Sequence, residues 1–208
     1  MSGIVPHLRE TASQTAGPYV HIGLAPRDTG IEIFERDFGN VLVAPETRGE
    51  RITIEGVVFD GSGTPVRDAL VEIWQANAAG RYNHPADDSG APIDPSFRGW
   101  GRSASNGVTG LYTFETIKPG RTVDNSGRSL APYISFWIVA RGINIGLATR
   151  MYFADEADAN ASDPVLNMIE WEVRRKTLVA ARADREGKAV YRFDISLQGP
   201  DETIFFDL

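Results

Sequence analysis

The sequence of 208 residues contains no cysteine. Disulfides, thiolate metal sites and cysteine nucleophiles are therefore excluded. No apolar run approaches the roughly 20 residues that a membrane-spanning helix needs, and the opening MSGIVPHLRE lacks the apolar middle of a signal peptide. We expect a soluble, cytoplasmic protein that has no membrane partner.

Basic residues are fewer than acidic ones. The chain has 21 Lys and Arg against 28 Asp and Glu, a net charge of −7. A nucleic-acid partner is not expected, because phosphate-backbone binding needs a concentrated basic face. Hydrophobic residues make up 42% and charged residues 24% of the chain, a composition typical of one globular domain of this length.

Histidine is limited to His7, His21 and His84, and the spacings H-x-H and HExxH do not occur. Local hydrogen bonding is a better interpretation of these three residues than metal binding. The nucleophile motif GxSxG and the phosphate-binding motifs GxxxxGK[ST] and GxGxxG do not occur either. Motifs alone therefore define no complete catalytic site.

The chain divides by pattern into an N-terminal arm, residues 1–50, and a core, residues 51–208. The arm is rich in Gly, Pro and Thr and has no sustained periodicity. The core contains short segments with alternating apolar residues, bounded by turn residues, which indicate a mainly β sandwich. The predicted strands are residues 52–60, 69–76, 111–117, 133–140, 143–153 and 189–197.

One helical pattern interrupts the core, in DPVLNMIEWEVRRKTLVAAR at 163–182. Asp163 is a candidate cap, Pro164 suits the first helical position, and Trp171 could divide the segment into two shorter helices. The acidic segment FADEADANASD before it is interpreted as a solvated turn. The loop over 77–102 is long enough to suggest a functional role.

A few single residues could carry chemistry. Tyr82 is a phenol that could bind a ferric ion, although a lone loop tyrosine usually serves packing. Arg141 follows a predicted strand and could clamp a carboxylate, with a structural salt bridge as the alternative. Gly17, Pro18 and Tyr19 could line a pocket or fix the arm.

Several motifs occur in an order that is known from one enzyme family. They are SQTAGPYVHIGL, LVEIWQANAAGRYNHP, GWGR, FETIKPG, ARGINIGL, TRMYF, DPVLN and YRFDISLQG followed by IFFD. In this set the chain closely resembles the intradiol ring-cleaving dioxygenases, and within them the subunit that binds no metal in two-subunit enzymes. The resemblance implies a β-sandwich of mixed topology and a homologous β subunit that holds a non-haem Fe³⁺.

In catalytic members of the family, two tyrosines and two histidines bind the iron. The resemblance places Tyr82, within GRYNH, at the first tyrosine position and Thr122 at the second. Tyr133 and Ser135 stand where the two histidines would be. One matching ligand of four cannot satisfy Fe³⁺, so the resemblance implies a vestigial site without metal in this chain.

The resemblance also implies what this subunit contributes. The arm would pack on the β subunit in a higher α–β oligomer, which cleaves 3,4-dihydroxybenzoate with O₂ to 3-carboxy-cis,cis-muconate. The alternatives are a non-catalytic β-sandwich binding or scaffold module and a self-sufficient homo-oligomeric dioxygenase. The residues implied to line the partner's site at the interface are Thr15, Gly17, Pro18, Tyr19 and Arg141.

Overall fold

The computed structural model describes residues 14–35 and 39–207, and within these ranges the chain is a β-sandwich of nine strands. The predicted mainly β architecture is confirmed. The strands are β1 (Arg51–Phe59), β2 (Leu70–Trp74), β3 (Trp100–Ala104), β4 (Leu111–Ile117), β5 (Tyr133–Val139), β6 (Leu147–Phe153), β7 (Val179–Arg185), β8 (Lys188–Arg192) and β9 (Ile195–Ser196).

The strand order is β3-β2-β5-β6-β7-β8-β1-β4, with β9 paired to β1. Most neighbours are antiparallel, but β6 with β7, β1 with β8 and β1 with β9 are parallel. Strand β7 belongs to both layers, because Val179 and Ala180 pair with β6 whereas residues 181–185 pair with β8. The sheet thereby folds over into a sandwich of mixed topology.

Aromatic residues from the two layers meet in the core. Phe136 of β5 lies edge-on to Phe114 of β4, with ring centroids 6.4 Å apart. Phe153 of β6 meets Tyr191 of β8 in the same way at 4.9 Å. Burial alternates along β5 and along the first five residues of β1 and of β4, as their sequence pattern predicts, because successive side chains point to opposite faces of a strand.

The helical segments are short: α1 (Val20–Leu24), α2 (Ala157–Ser162), α3 (Glu172–Lys176) and 3₁₀ turns at Pro26–Thr29 and Leu166–Met168. The segment predicted as one or two helices over 163–182 forms the 3₁₀ turn at Leu166–Met168 and α3, but its C-terminal part is wrong as helix and forms β7. The predicted break is confirmed at Trp171, where the backbone is extended. The acidic segment FADEADANASD, predicted as a solvated turn, contains helix α2. None of these helices of the described ranges is long and apolar enough to cross a membrane.

Strand β3 is absent from the sequence prediction and is held by two segments of the arm. Residues 39–43 run between β3 and β4, where Arg102 N donates to Gly39 O and Glu115 N donates to Asn40 O. The side chain of Asp28 accepts a hydrogen bond from Ala104 N at 3.0 Å. The described part of the arm therefore docks on its own sandwich and closes the gap between the two edge strands.

A charged cluster joins the end of β4 to the turn after β6. Lys118 Nζ lies 2.8 Å from Asp155 and 2.6 Å from Glu156. Tyr191 donates a hydrogen bond to Asp155 at 2.9 Å. Burial opposes the ionisation of Asp155, but the hydrogen bonds from Lys118 and Tyr191 outweigh it and lower the pKa of the Asp155 carboxyl.

This lowered pKa predicts how the stability of the chain varies with pH. A carboxyl whose pKa is lower in the folded state adds stability above its unfolded pKa of about 3.9 and loses it as the pH falls through the folded value. The free-energy gap between wild type and Asp155→Asn should therefore be constant above pH ~5 and shrink below pH ~4. Urea denaturation followed by tryptophan fluorescence measures the gap. The exposed Asp158→Asn is the control, and a gap independent of pH would contradict the prediction.

Candidate functional site

Tyr82 lies in the loop after β2, which one buried asparagine holds in shape. The Oδ1 atom of Asn77 accepts hydrogen bonds from the backbone N–H of Ala79 and of Arg81 at 2.9 and 3.1 Å, and its Nδ2 donates to Pro92 O at 2.9 Å. An asparagine that uses both ends in this way replaces the hydrogen bonds that a regular element would supply. The loop therefore fixes where Tyr82 points.

The ring of Tyr82 points at the start of β5. Its hydroxyl donates to the hydroxyl of Tyr133 at 2.8 Å, and its ring stacks on Trp74 of β2 with centroids 5.6 Å apart. Burial, reinforced by the neighbouring Tyr133, raises the pKa of the Tyr82 phenol. Both phenols are thus engaged with each other, and ionisation of Tyr82 is disfavoured.

Arg150 of β6 covers this tyrosine pair. It lies opposite Ser135 in the antiparallel ladder of β5 and β6, and its guanidinium is 4.2 Å from the centre of the Tyr133 ring and 5.7 Å from that of Phe206. A guanidinium over aromatic faces is an attractive arrangement. The positive charge beside the tyrosine pair therefore comes from Arg150.

Thr122 lies in the wall of the same cleft. The turn at Gly80 and the segment that begins at Gly120 approach so closely that a Cβ on Gly80 would lie 2.0 Å from Arg121 O. The resulting cleft has a volume of about 680 Å³ and is lined by Trp74, Tyr82 and Thr122, with Asp87, Asp88 and Asp124 also in its wall. Tyr82 and Thr122 thus line the cleft, Tyr133 contacts Tyr82, and Ser135 pairs with Trp74 in the ladder of β2 and β5.

These residues do not fit a ferric ion. Of the four positions that would bind it, Thr122 and Ser135 offer only neutral hydroxyls, which are poor ligands for Fe³⁺, and the phenol of Tyr82 donates its proton to Tyr133. The guanidinium of Arg150 adds positive charge where a cation would have to bind. Within residues 14–35 and 39–207, no group of three or more His, Cys, Asp or Glu is arranged to hold a metal.

The histidines do not change this conclusion. His84 lines the cleft and accepts a hydrogen bond from Ala86 N at 3.1 Å, which confirms the local role predicted for it. The Nδ1 atom of His21 is buried with no hydrogen-bond partner in the described part of the chain. His7 lies outside the described residues.

The second set of candidates, called the exposed set below, consists of Thr15, Gly17, Pro18, Tyr19 and Arg141. It lies at the C-terminal end of β5, away from Tyr133. Thr15 Oγ1 accepts a hydrogen bond from Gly142 N at 2.7 Å, directly beside Arg141. Val20 of α1 packs with Val139 in a small apolar cluster. The arm therefore brings Thr15 and the Arg141 turn together although 125 residues separate Thr15 from Ala140.

This second set is exposed, unlike the tyrosine pair. The side chain of Arg141 is 68% exposed and Tyr19 is 75% exposed, while Gly17 and Pro18 are exposed as well. Six steps of about 3.3 Å along β5 separate Tyr133 from Val139, so roughly 20 Å lies between the two sets. The exposed set cannot act on a ligand bound at the tyrosine pair.

Sequence reasoning missed three residues that matter for these sites. Trp74 and Arg150 complete the tyrosine cluster, and Asp68 forms an ion pair with Arg141 at 2.9 Å. The salt-bridge alternative for Arg141 is therefore present in the structure. Each of the three depends on strand pairing between distant segments, and no local motif marks it.

Comparison with known proteins identifies the class. A family model described as Dioxygenase matches residues 35–199. An intradiol ring-cleavage dioxygenase from Tetranychus urticae has the same fold, with a TM-score of 0.53 at 21% identity over 80% of this chain and 90% of that chain. The chain belongs to the intradiol dioxygenase family.

Within this family, the chain is similar to the subunits of one enzyme. The α chain of protocatechuate 3,4-dioxygenase from Pseudomonas putida is 48% identical over 200 residues, which cover 96% of this chain and 97% of that one. The β chain of protocatechuate 3,4-dioxygenase from Burkholderia cepacia is 40% identical over 169 residues, 79% of this chain and 71% of that one. The resemblance seen in the motifs is confirmed.

Proposed function

We propose that this chain is the α subunit of a protocatechuate 3,4-dioxygenase. A homologous β subunit holds the ferric ion, and the two chains together cleave 3,4-dihydroxybenzoate with O₂ to 3-carboxy-cis,cis-muconate. The observation that carries this proposal is the tyrosine pair, in which Tyr82 is bonded to Tyr133 beneath Arg150. A chain that has the family fold, but whose described residues do not fit the metal, needs a partner to supply it.

The similarity to both chain types of one enzyme supports the pairing. The relative from P. putida is an α chain and that from B. cepacia a β chain, and both match this chain over most of its length. The partner therefore has the same fold, and two such sandwiches can build an interface from corresponding surfaces. The active site would then lie between unlike subunits, with the metal on one side.

The exposed set is this chain's contribution to that site. Thr15, Gly17, Pro18 and Tyr19 form one wall, and the guanidinium of Arg141 supplies the charge that a carboxylated substrate needs. Tyr19 brings a large, rigid ring with a hydroxyl, which suits contact with an aromatic ligand. This wall would orient the substrate and exclude water when the partner subunit covers it.

The metal content of each chain tests the proposal. The α chain purified alone should contain no stoichiometric iron and should not cleave 3,4-dihydroxybenzoate, because its own residues do not fit Fe³⁺. Mixed with its β partner, it should form a complex that contains iron and is active. Elemental analysis of the separated chains and oxygen uptake by the mixture provide the two measurements.

Tyr82→Phe is the matched variant. It removes the one side chain that matches an iron ligand, yet the iron content of the complex should stay unchanged, since the proposed iron lies in the partner. Iron and activity in the α chain alone would instead establish a self-sufficient dioxygenase. A mixture with no activity beyond that of the β chain would favour a scaffold role.

A further inference from the structure

Asp68 lies directly opposite Arg141 in the extension of a β ladder. Strands β2 and β5 are antiparallel with Leu70 paired to Val139, so continuing this register pairs Ala69 with Ala140 and Asp68 with Arg141. Opposite charges at such a position attract each other across the pair. In the structure, the Nε atom of Arg141 lies 2.9 Å from Asp68 Oδ2.

The two side chains differ in how firmly they are held. The side chain of Asp68 is 14% exposed and that of Arg141 is 68% exposed, so the carboxylate is set in the protein and the guanidinium extends from it. The other oxygen of Asp68 is buried and has no hydrogen-bond partner in the described ranges. Within the described ranges Arg141 is thus the one side-chain partner of Asp68, and the burial of Asp68 makes it a fixed anchor.

The contact at Nε leaves the outer edge of the guanidinium directed away from Asp68. An arginine held through Nε still presents its two terminal nitrogens, which match the two oxygens of a carboxylate. A free arginine side chain loses considerable rotamer entropy when it is fixed in one geometry. An anchor that fixes the side chain before the ligand arrives removes part of that cost.

We propose that Asp68 is the positioning residue for Arg141, and that it orients the guanidinium toward the carboxylate of the aromatic substrate at the subunit interface. This inference rests on the proposed function of the chain. Asp68 itself does not touch the substrate. Its effect passes through Arg141 and is therefore confined to substrates that carry a carboxylate.

Asp68→Asn in the reconstituted α–β complex tests this role, because asparagine keeps the shape and removes the charge. We expect KM for 3,4-dihydroxybenzoate to rise about threefold to fivefold, as for the loss of a partly exposed ion pair, with kcat changed less than about twofold. KM for catechol, which has no carboxylate, should stay unchanged. KM does not depend on the fraction of complex that folds, so a less stable variant still gives a result.

The double variant with Arg141→Ala decides whether Asp68 acts through Arg141. In that background, Asp68→Asn should have no further effect on KM. An added loss would overturn the inference, and so would an unchanged KM in Asp68→Asn alone while Arg141→Ala raises KM for 3,4-dihydroxybenzoate. An unchanged kcat/KM in Arg141→Ala would instead remove Arg141 from the proposed site. That outcome is a failure of the underlying function and is thereby distinguished from a failure of this inference.

Discussion

Asp163→Ala is expected to lower the free energy of unfolding by about 3 kcal/mol or more. The carboxylate is fully buried and accepts hydrogen bonds from Val165 N and Leu166 N at 2.9 Å each and from Ala131 N at 2.8 Å. Alanine would leave these three backbone donors without this acceptor, two of them in the buried residues Ala131 and Leu166. Hydrogen bonds to a charged group contribute about 1.5–3 kcal/mol each, and their losses are not additive.

Asp163 joins the 3₁₀ turn after α2 to the segment at Ala131, which leads into Tyr133. Urea denaturation followed by tryptophan fluorescence measures the stability. Asp158→Ala on the exposed face of α2 is the control and should change it by less than about 0.5 kcal/mol. Equal effects of the two variants would contradict the anchoring role of Asp163.

The sequence pattern correctly predicts features that depend on residues close together in the chain, such as the burial of a strand or the cap of a helical turn. The alternation in β1, β4 and β5 predicts the burial of most of their residues correctly, because one face of each strand meets the core. The cap predicted at Asp163 is confirmed in its chemistry, since its side chain accepts the backbone N–H groups of Val165 and Leu166. A side chain three residues or fewer from its partner can be recognised in sequence.

The errors arise where distant pairing overrides local preference. Ala180 to Arg185 suit a helix by propensity, but β6 and β8 offer unpaired edges on both sides and draw the segment into β7. Strand β3, with the sequence WGRSA, lacks an apolar alternation and exists because β2 and residues 39–43 flank it. The predicted strand over 143–153 begins at Leu147, where pairing with β5 starts.

The candidate site divides in the same way. Tyr82 stands out in sequence because GRYNH is contiguous, whereas Arg150 joins the cluster only through its register with Ser135. Asp68 is 73 residues from Arg141 in sequence, and nothing near either residue indicates that they meet. The family resemblance predicts Thr15 and Arg141 as residues of the same interface. The hydrogen bond from Gly142 N to Thr15 explains why the two residues lie close together.

Arg141→Ala is expected to lower kcat/KM for 3,4-dihydroxybenzoate in the α–β complex about 10-fold to 100-fold. On the proposed function, the substrate carboxylate enters a site shielded by the partner, where a charge-assisted bidentate contact is stronger than in water. Truncation would leave that carboxylate without its cation and also leave Asp68 unpaired. The loss should fall mainly on KM, because the contact lies away from the ring carbons that react.

Arg128→Ala is the matched control for this prediction. Its side chain is 62% exposed and pairs with one carboxylate, Asp124, much as Arg141 pairs with Asp68, but it lies on the loop that leads to the opposite end of β5. Steady-state oxygen uptake should give wild-type constants for Arg128→Ala and a raised KM for Arg141→Ala. Equal KM values for the two variants would contradict the prediction. Loss of one surface charge would then explain any change, and Arg141 would have no specific role in binding the substrate.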